Sequence, residues 1–181
     1  MTFERRRTAP EKDNEFYYSN KNIFYACGYG MPNCTAYAHG RYMEICGEDS
    51  KCRGNAGNWL SEAKSRGRKT SSSPALGSIA VWKIPGTKDS GHVAVVEGIL
   101  PNGDIITSNS AYKGTLWYEQ IFKKSDGYNW ISSITGKKYE FQGFILPPKT
   151  VSKKPSSLNK IPQAPLPSPK SILDKLFRYV R

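Results

Sequence analysis

The sequence predicts an α+β domain, with helices first and an antiparallel sheet of about five strands after them. Two helix-like stretches over 33–45 and 57–64, short β-branched segments bounded by turn residues, and a tight-turn signal at Asn102-Gly103 carry that prediction. The first helix follows Gly28, Gly30 and Pro32 and takes Asn33 as its N-cap, because an Asn side chain accepts from the unpaired N–H groups of a first turn. Gly40 weakens this helix by about 1 kcal/mol relative to Ala. The second helix starts at Gly57 or Asn58, ends at Gly67 and turns Trp59, Leu60 and Ala63 inward. A polar loop over 69–73 leads into strands at 77–82, 92–97 and 104–108, and aromatic-rich runs over 116–122 and 139–146 add two more. Counted outward from Asn102-Gly103, a two-residue hairpin pairs Pro101 with Asp104 and Val96 with Asn109.

With 181 residues the chain has room for one domain, and no apolar stretch approaches the roughly 20 residues of a bilayer span. Its first seven residues end in three arginines, the charge of a signal-peptide start, but 8–18 are polar where a secretory signal would be apolar, so no signal peptide is expected. The net charge is +12, and 149–181 alone, with eight basic residues, one acid and five prolines, carries +7 of it. The expected organisation is an N-terminal extension (1–19), a folded domain (20–148), a Pro/Lys/Ser-rich linker (149–170) and a short basic amphipathic segment (171–181). In that last segment Ile172, Leu173, Leu176, Phe177 and Val180 share one helical face; the expectation is that it docks on the domain or stays frayed, with contact to a membrane or a virion partner as the alternative.

Cys27, Cys34, Cys46 and Cys52 have no short zinc-type spacing, and a chain made in a reducing compartment keeps them as thiols. Cys34 falls in the first turn of a helix, where exposed N–H groups and the helix dipole favour a thiolate nucleophile. Of the two histidines, His39 lies five residues further along the same helix and points elsewhere, as a surface or packing residue. His92, after Ser90-Gly91 at a strand start, is the candidate base. Asn109 is the candidate partner that orients the imidazole, although the simple hairpin register leaves it too far along and would need a bulge or a longer loop. Glu97 competes for that role by charge but sits on the opposite face of the strand from His92.

Asn33-Cys34-Thr35-Ala36-Tyr37-Ala38, Gly54-Asn55-Ala56-Gly57-Asn58-Trp59, the segment from Pro74 to Trp82, Gly91-His92-Val93-Ala94-Val95-Val96-Glu97 and Ile106-Thr107-Ser108-Asn109-Ser110 stand in a familiar order. Together they resemble the CHAP family, the cysteine, histidine-dependent amidohydrolases/peptidases. The run Gly127-Tyr128-Asn129-Trp130 and the stretch from Phe141 to Ile145 look like the ends of such domains in bacteriophage lysins and tail-associated wall hydrolases. The resemblance implies a papain-like (NlpC/P60-type) α+β fold and hydrolysis of an amide bond in peptidoglycan, as an N-acetylmuramoyl-L-alanine amidase or an endopeptidase. It also implies Cys34 as nucleophile, His92 as base then acid, and Asn109 where many relatives have Glu. Trp59, Trp82 and Tyr112 are candidate groove-lining residues. No cofactor or metal is expected: the stretch before Cys34, where some relatives hold calcium in an Asp-rich loop, has no Asp or Glu between Asn20 and Gly30.

These readings place the protein at the bacterial wall, released from the host cytoplasm at lysis or carried on a virion, with the basic tail attracting anionic wall polymers. Two other classes compete. The +12 charge and eleven tyrosines suggest a nucleic-acid-binding module, but no motif aligns basic and aromatic residues on one sheet face, so no nucleic-acid partner is expected. The other is a virion structural protein without catalysis.

Overall fold

The computed structural model describes residues 2–88, 90–133, 135–149 and 152–153. Strand β1 (Thr2–Phe3) and two one-turn helices, α1 (Glu15–Tyr18) and α2 (Ile23–Ala26), precede the main helix α3 (Cys34–Cys46). Each short helix is opened by an Asn: the Asn14 and Asn22 side chains accept from the Phe16 and Phe24 N–H groups, both at 3.1 Å. Helix α3 begins at its predicted cap. Asn33 Oδ1 accepts from the Thr35 N–H (2.9 Å) and hydroxyl (2.8 Å), while its Nδ2 donates to the Tyr29 carbonyl (3.1 Å). The helix ends at Gly47, whose φ of 67° only glycine adopts without strain. A 3-10 turn (Ala56–Asn58) then leads into α4 (Trp59–Ser65).

The short elements of the N-terminal region went unpredicted because each is one turn or less, too short for periodicity to show. Residues before 20 nevertheless pack on the domain. Phe3 and Tyr17 are buried, and the Tyr17 hydroxyl donates to Glu44 on α3 at 2.9 Å. Gly40 explains the close fit of α1 and α3, because a methyl group there would meet the Phe16 carbonyl oxygen at 2.5 Å.

The sheet comprises β2 (Thr70–Ser71), β3 (Ile79–Lys83), β4 (Gly91–Ile99), β5 (Ile105–Asn109), β6 (Tyr118–Phe122), β7 (Trp130–Ile131) and β8 (Lys138–Ile145). Its antiparallel order is β2-β8-β3-β4-β5-β6, with β7 on β8, so the five expected strands form its body and two two-residue strands add to it. A separate parallel pair joins β1 to β9 (Ser152–Lys153). Residues 79, 81, 93 and 95 face Tyr42 and Trp59 in the helix-side core, and 80, 82, 94 and 96 face Phe122 and Phe144 in a second core. Burial on both faces is why these strands read as continuous apolar runs rather than alternating ones. The segment 171–181 and most of the linker lie outside the described residues.

The β4–β5 hairpin departs from the two-residue turn. Leu100 N–H bonds to the Asp104 carbonyl (2.9 Å) and Gly103 N–H to the Leu100 carbonyl (2.8 Å), which makes a three-residue loop. A bulge follows at Glu97: Val96 pairs with Thr107, but Gly98 pairs with Ile106. Each device moves the register by one residue, so Asn109 comes opposite Ala94 instead of Val96. That brings it two positions closer to the start of β4, where His92 stands.

Candidate active site

Cys34 opens α3, and its sulfur lies near the backbone N–H of Val93, the peptide that follows His92, and near the N–H groups of its own helix start. These donors favour a thiolate, as the helix position suggested. Burial outweighs them and pushes the thiol up to about 11, so the resting group is a thiol and not the thiolate expected from the sequence. The other cysteines are also free: Cys46 and Cys52 are buried and pushed up to about 12, and Cys27 is exposed.

His92 is the second residue of β4. Gly91 before it is required by packing, since a side chain there would run into the Trp82 carbonyl and into Gly57 of the 3-10 turn. The imidazole Nε2 meets Asn109 Oδ1 at 3.0 Å. The amide orientation follows from its other end: Asn109 Nδ2 donates to Thr107 Oγ1 (3.0 Å) and to the Thr107 carbonyl (3.2 Å). The Thr107 hydroxyl in turn donates to the Gln120 carbonyl at 3.1 Å, so it receives from Asn109 as an acceptor. The oxygen of Asn109 therefore faces the ring, Nε2 carries the hydrogen, and Nδ1 keeps the lone pair that can take a proton. Burial lowers His92 from its ordinary value and the Asn109 hydrogen bond opposes that shift.

Aromatic rings enclose the imidazole. Trp82 and Trp130 lie with ring centroids 6.0 Å from it, and Tyr139, stacked on Trp130 at 4.2 Å, lies 6.5 Å away. The Tyr118 and Tyr139 phenols are pushed up by burial and by the nearby Cys34 sulfur. Thr107, Tyr118, Trp130 and Tyr139 were all missed in the sequence. Their only signal was aromatic residues in the two late strand candidates and a β-branched hydroxyl two positions before Asn109.

A cleft of about 680 Å³ opens over Cys34, lined among others by Tyr29, Arg53, Asn55, Gly91 and Tyr112. Tyr112 is 56% exposed and lines this cleft. Trp59 and Trp82 do not line a groove. Both are fully buried, Trp59 stacked on Phe24 and donating to the Gly54 carbonyl, Trp82 against Phe122 and donating to the Tyr128 carbonyl. Large rings between a helix and a sheet are retained by the apolar area they bury. His39 is a packing residue, buried against Phe24 and bonded to Ser50 at 2.8 Å. Glu97 does not orient His92; it pairs with Arg41.

A thiol on the peptide after a histidine, with an amide fixing the imidazole tautomer, is an arrangement for acyl transfer. Residues 24–111 match the CHAP domain family model. The match spans just under half of the chain. The chain's α+β, papain-like architecture is the one the sequence predicts. The chain is 36% identical over 96 residues to a probable autolysin, LDP, of Staphylococcus aureus, covering 53% of this chain and 32% of that protein. A solved structure of N-acetylmuramoyl-L-alanine amidase from Staphylococcus aureus overlays with a TM-score of 0.46 at 25% identity, covering 64% of this chain and 32% of the other. The chain thus spans about a third of the length of these relatives.

Proposed function

We propose that the protein is a cysteine-dependent peptidoglycan hydrolase that cleaves an amide bond of the bacterial wall, as a lysin of bacteriophage type. The observation that carries this reading is the His92 imidazole held on Asn109 Oδ1 at 3.0 Å, with the Cys34 sulfur near the N–H of Val93, the next peptide. Cys34 passes its proton to His92 Nδ1 and attacks the scissile carbonyl. The Cys34 backbone N–H, at the start of α3, stabilises the oxyanion, and His92 protonates the leaving amine. Water then hydrolyses the thioester with His92 as base. Because the thiol and imidazole are both neutral at rest, proton transfer accompanies attack and substrate binding sets its timing.

The bond is that of an N-acetylmuramoyl-L-alanine amidase or of an endopeptidase. Mass spectrometry of digested walls distinguishes them, through a freed N-terminal Ala or a new cross-bridge terminus. Cys34→Ala and His92→Ala are expected to abolish the turbidity drop of Gram-positive wall suspensions while the circular dichroism spectrum is unchanged. Full activity in a folded Cys34→Ala protein would sink the proposal. The +7 charge of 149–181 supports attraction to anionic wall polymers, so removal of 154–181 is expected to weaken wall binding, most strongly at low salt.

A further inference from the structure

The bulge that brings Asn109 to His92 has a built anchor. Glu97, its extra residue, is 1% exposed, and its carboxylate accepts four hydrogen bonds. Arg41 Nε donates to Oε1 at 2.8 Å and Arg41 Nη2 to Oε2 at 3.0 Å. The Ser108 hydroxyl donates to Oε1 at 2.8 Å, and the Arg6 backbone N–H to Oε2 at 3.0 Å. Arg41 lies on α3 two turns after Cys34, and its Nη1 also holds Glu44 at 2.7 Å. Ser108 directly precedes Asn109. The carboxylate therefore ties the nucleophile's helix to the residue next to the histidine's partner.

The bulge also solves a problem of faces. Trp82, Ala94 and Val96 and, beyond the bulge, Ile99 pack on the same core, which an unbroken period of two does not allow for residues 96 and 99. An unanchored hairpin of this kind has two competing registers. Losing the bulge moves Asn109 by one residue relative to β4 and turns its side chain to the other face.

We propose that Glu97 is a positioning residue for the reaction: held by Arg41 and bonded to Ser108, it fixes the bulge that sets Asn109 against His92. The inference rests on the reading of His92 and Asn109 as catalytic partners. Its first readout needs no substrate, so it stands or falls separately from the hydrolase reading.

The test is Glu97→Gln, which keeps the side-chain shape, examined in the full-length protein by NMR of ¹⁵N-labelled histidine. The wild type is expected to show a downfield, slowly exchanging His92 Nε2–H resonance from its bond to Asn109. In Glu97→Gln protein with native circular dichroism this resonance is expected to move upfield or be lost. On soluble wall fragments, kcat is expected to fall tenfold or more with KM within twofold. Ser108→Ala, which leaves no buried charge unpaired, is expected to give a smaller change in the same direction, and it decides the matter if Glu97→Gln does not fold. A purely structural Glu97 would lower the melting temperature while the His92 resonance and the kcat per folded molecule stayed at wild-type values, and that result in either folded variant overturns the proposal.

Discussion

At the level of single residues, burial rather than the helix dipole sets the ionisation of the Cys34–His92 site. Burial pushes the thiol up to about 11 and lowers the imidazole from its ordinary value near 6.5. The neutral thiol and neutral imidazole therefore coexist over a wide plateau. The acid limb of kcat/KM is expected below pH 6.5, where His92 gains a proton, and the alkaline limb near pH 11. In a Cys27→Ser background, iodoacetamide alkylation of Cys34 is expected to rise about tenfold per pH unit up to that region. A rate already level at pH 6 would show a thiolate at rest. Asn109→Asp adds a carboxylate beside the imidazole, and is expected to move the acid limb upward by stabilising imidazolium. The two groove candidates that proved to be core separate cleanly from the third. Trp59→Ala should cost about 3–5 kcal/mol in urea unfolding. Tyr112→Ala should leave stability within about 0.5 kcal/mol and raise KM for wall fragments.

At the level of elements, α3 shows how a poor helix former can be a good packing residue. Ala at position 40 gains about 1 kcal/mol of helix propensity, yet its methyl must displace the Phe16 carbonyl of α1. Gly40→Ala is therefore expected to lower the melting temperature; an increase would show that α1 yields freely. The start of α3 and its Asn cap were legible because capping chemistry is local and three residues suffice to signal it. The strands were legible from β-branched runs between turns. The hairpin register was legible only as a problem: Asn109 stood two positions off in the simplest pairing. The sequence could not show that a longer loop and a bulge would share the correction, because the cause is a buried carboxylate bonded to residues 56 and 11 positions away. Trp59 and Trp82 misled for a related reason, since an aromatic residue carries no local mark of whether it meets substrate or core.

At the level of the whole molecule, buried ionisable groups make stability depend on pH. Burial lowers His39 to about 4, and His92 is lowered too, whereas both bind protons near 6.5 in the unfolded chain. Their contribution is fully present above pH 6.5 and is lost as pH falls toward the folded values. For His39 alone this is roughly 3 kcal/mol. Glu44 and Asp49, which Arg41 and Arg53 hold below the ordinary carboxylate range against the effect of burial, lose their contribution at still lower pH. The urea midpoint is expected to fall markedly between pH 7 and pH 4.5, and His39→Gln should flatten that dependence.

The N-terminal segment has a kinetic consequence. Arg6 reaches Glu97 across 91 positions of sequence and Arg5 reaches Glu119 across 114, so this segment has its partners on β4 and β6, far away along the chain. Closing loops of that length carries an entropic cost, so these contacts are expected to form after the sheet is in place. Substitutions in this strap, such as Arg5→Ala, are then expected to speed unfolding while leaving the refolding rate nearly untouched. The segment acts as a late latch on a sheet that has already folded.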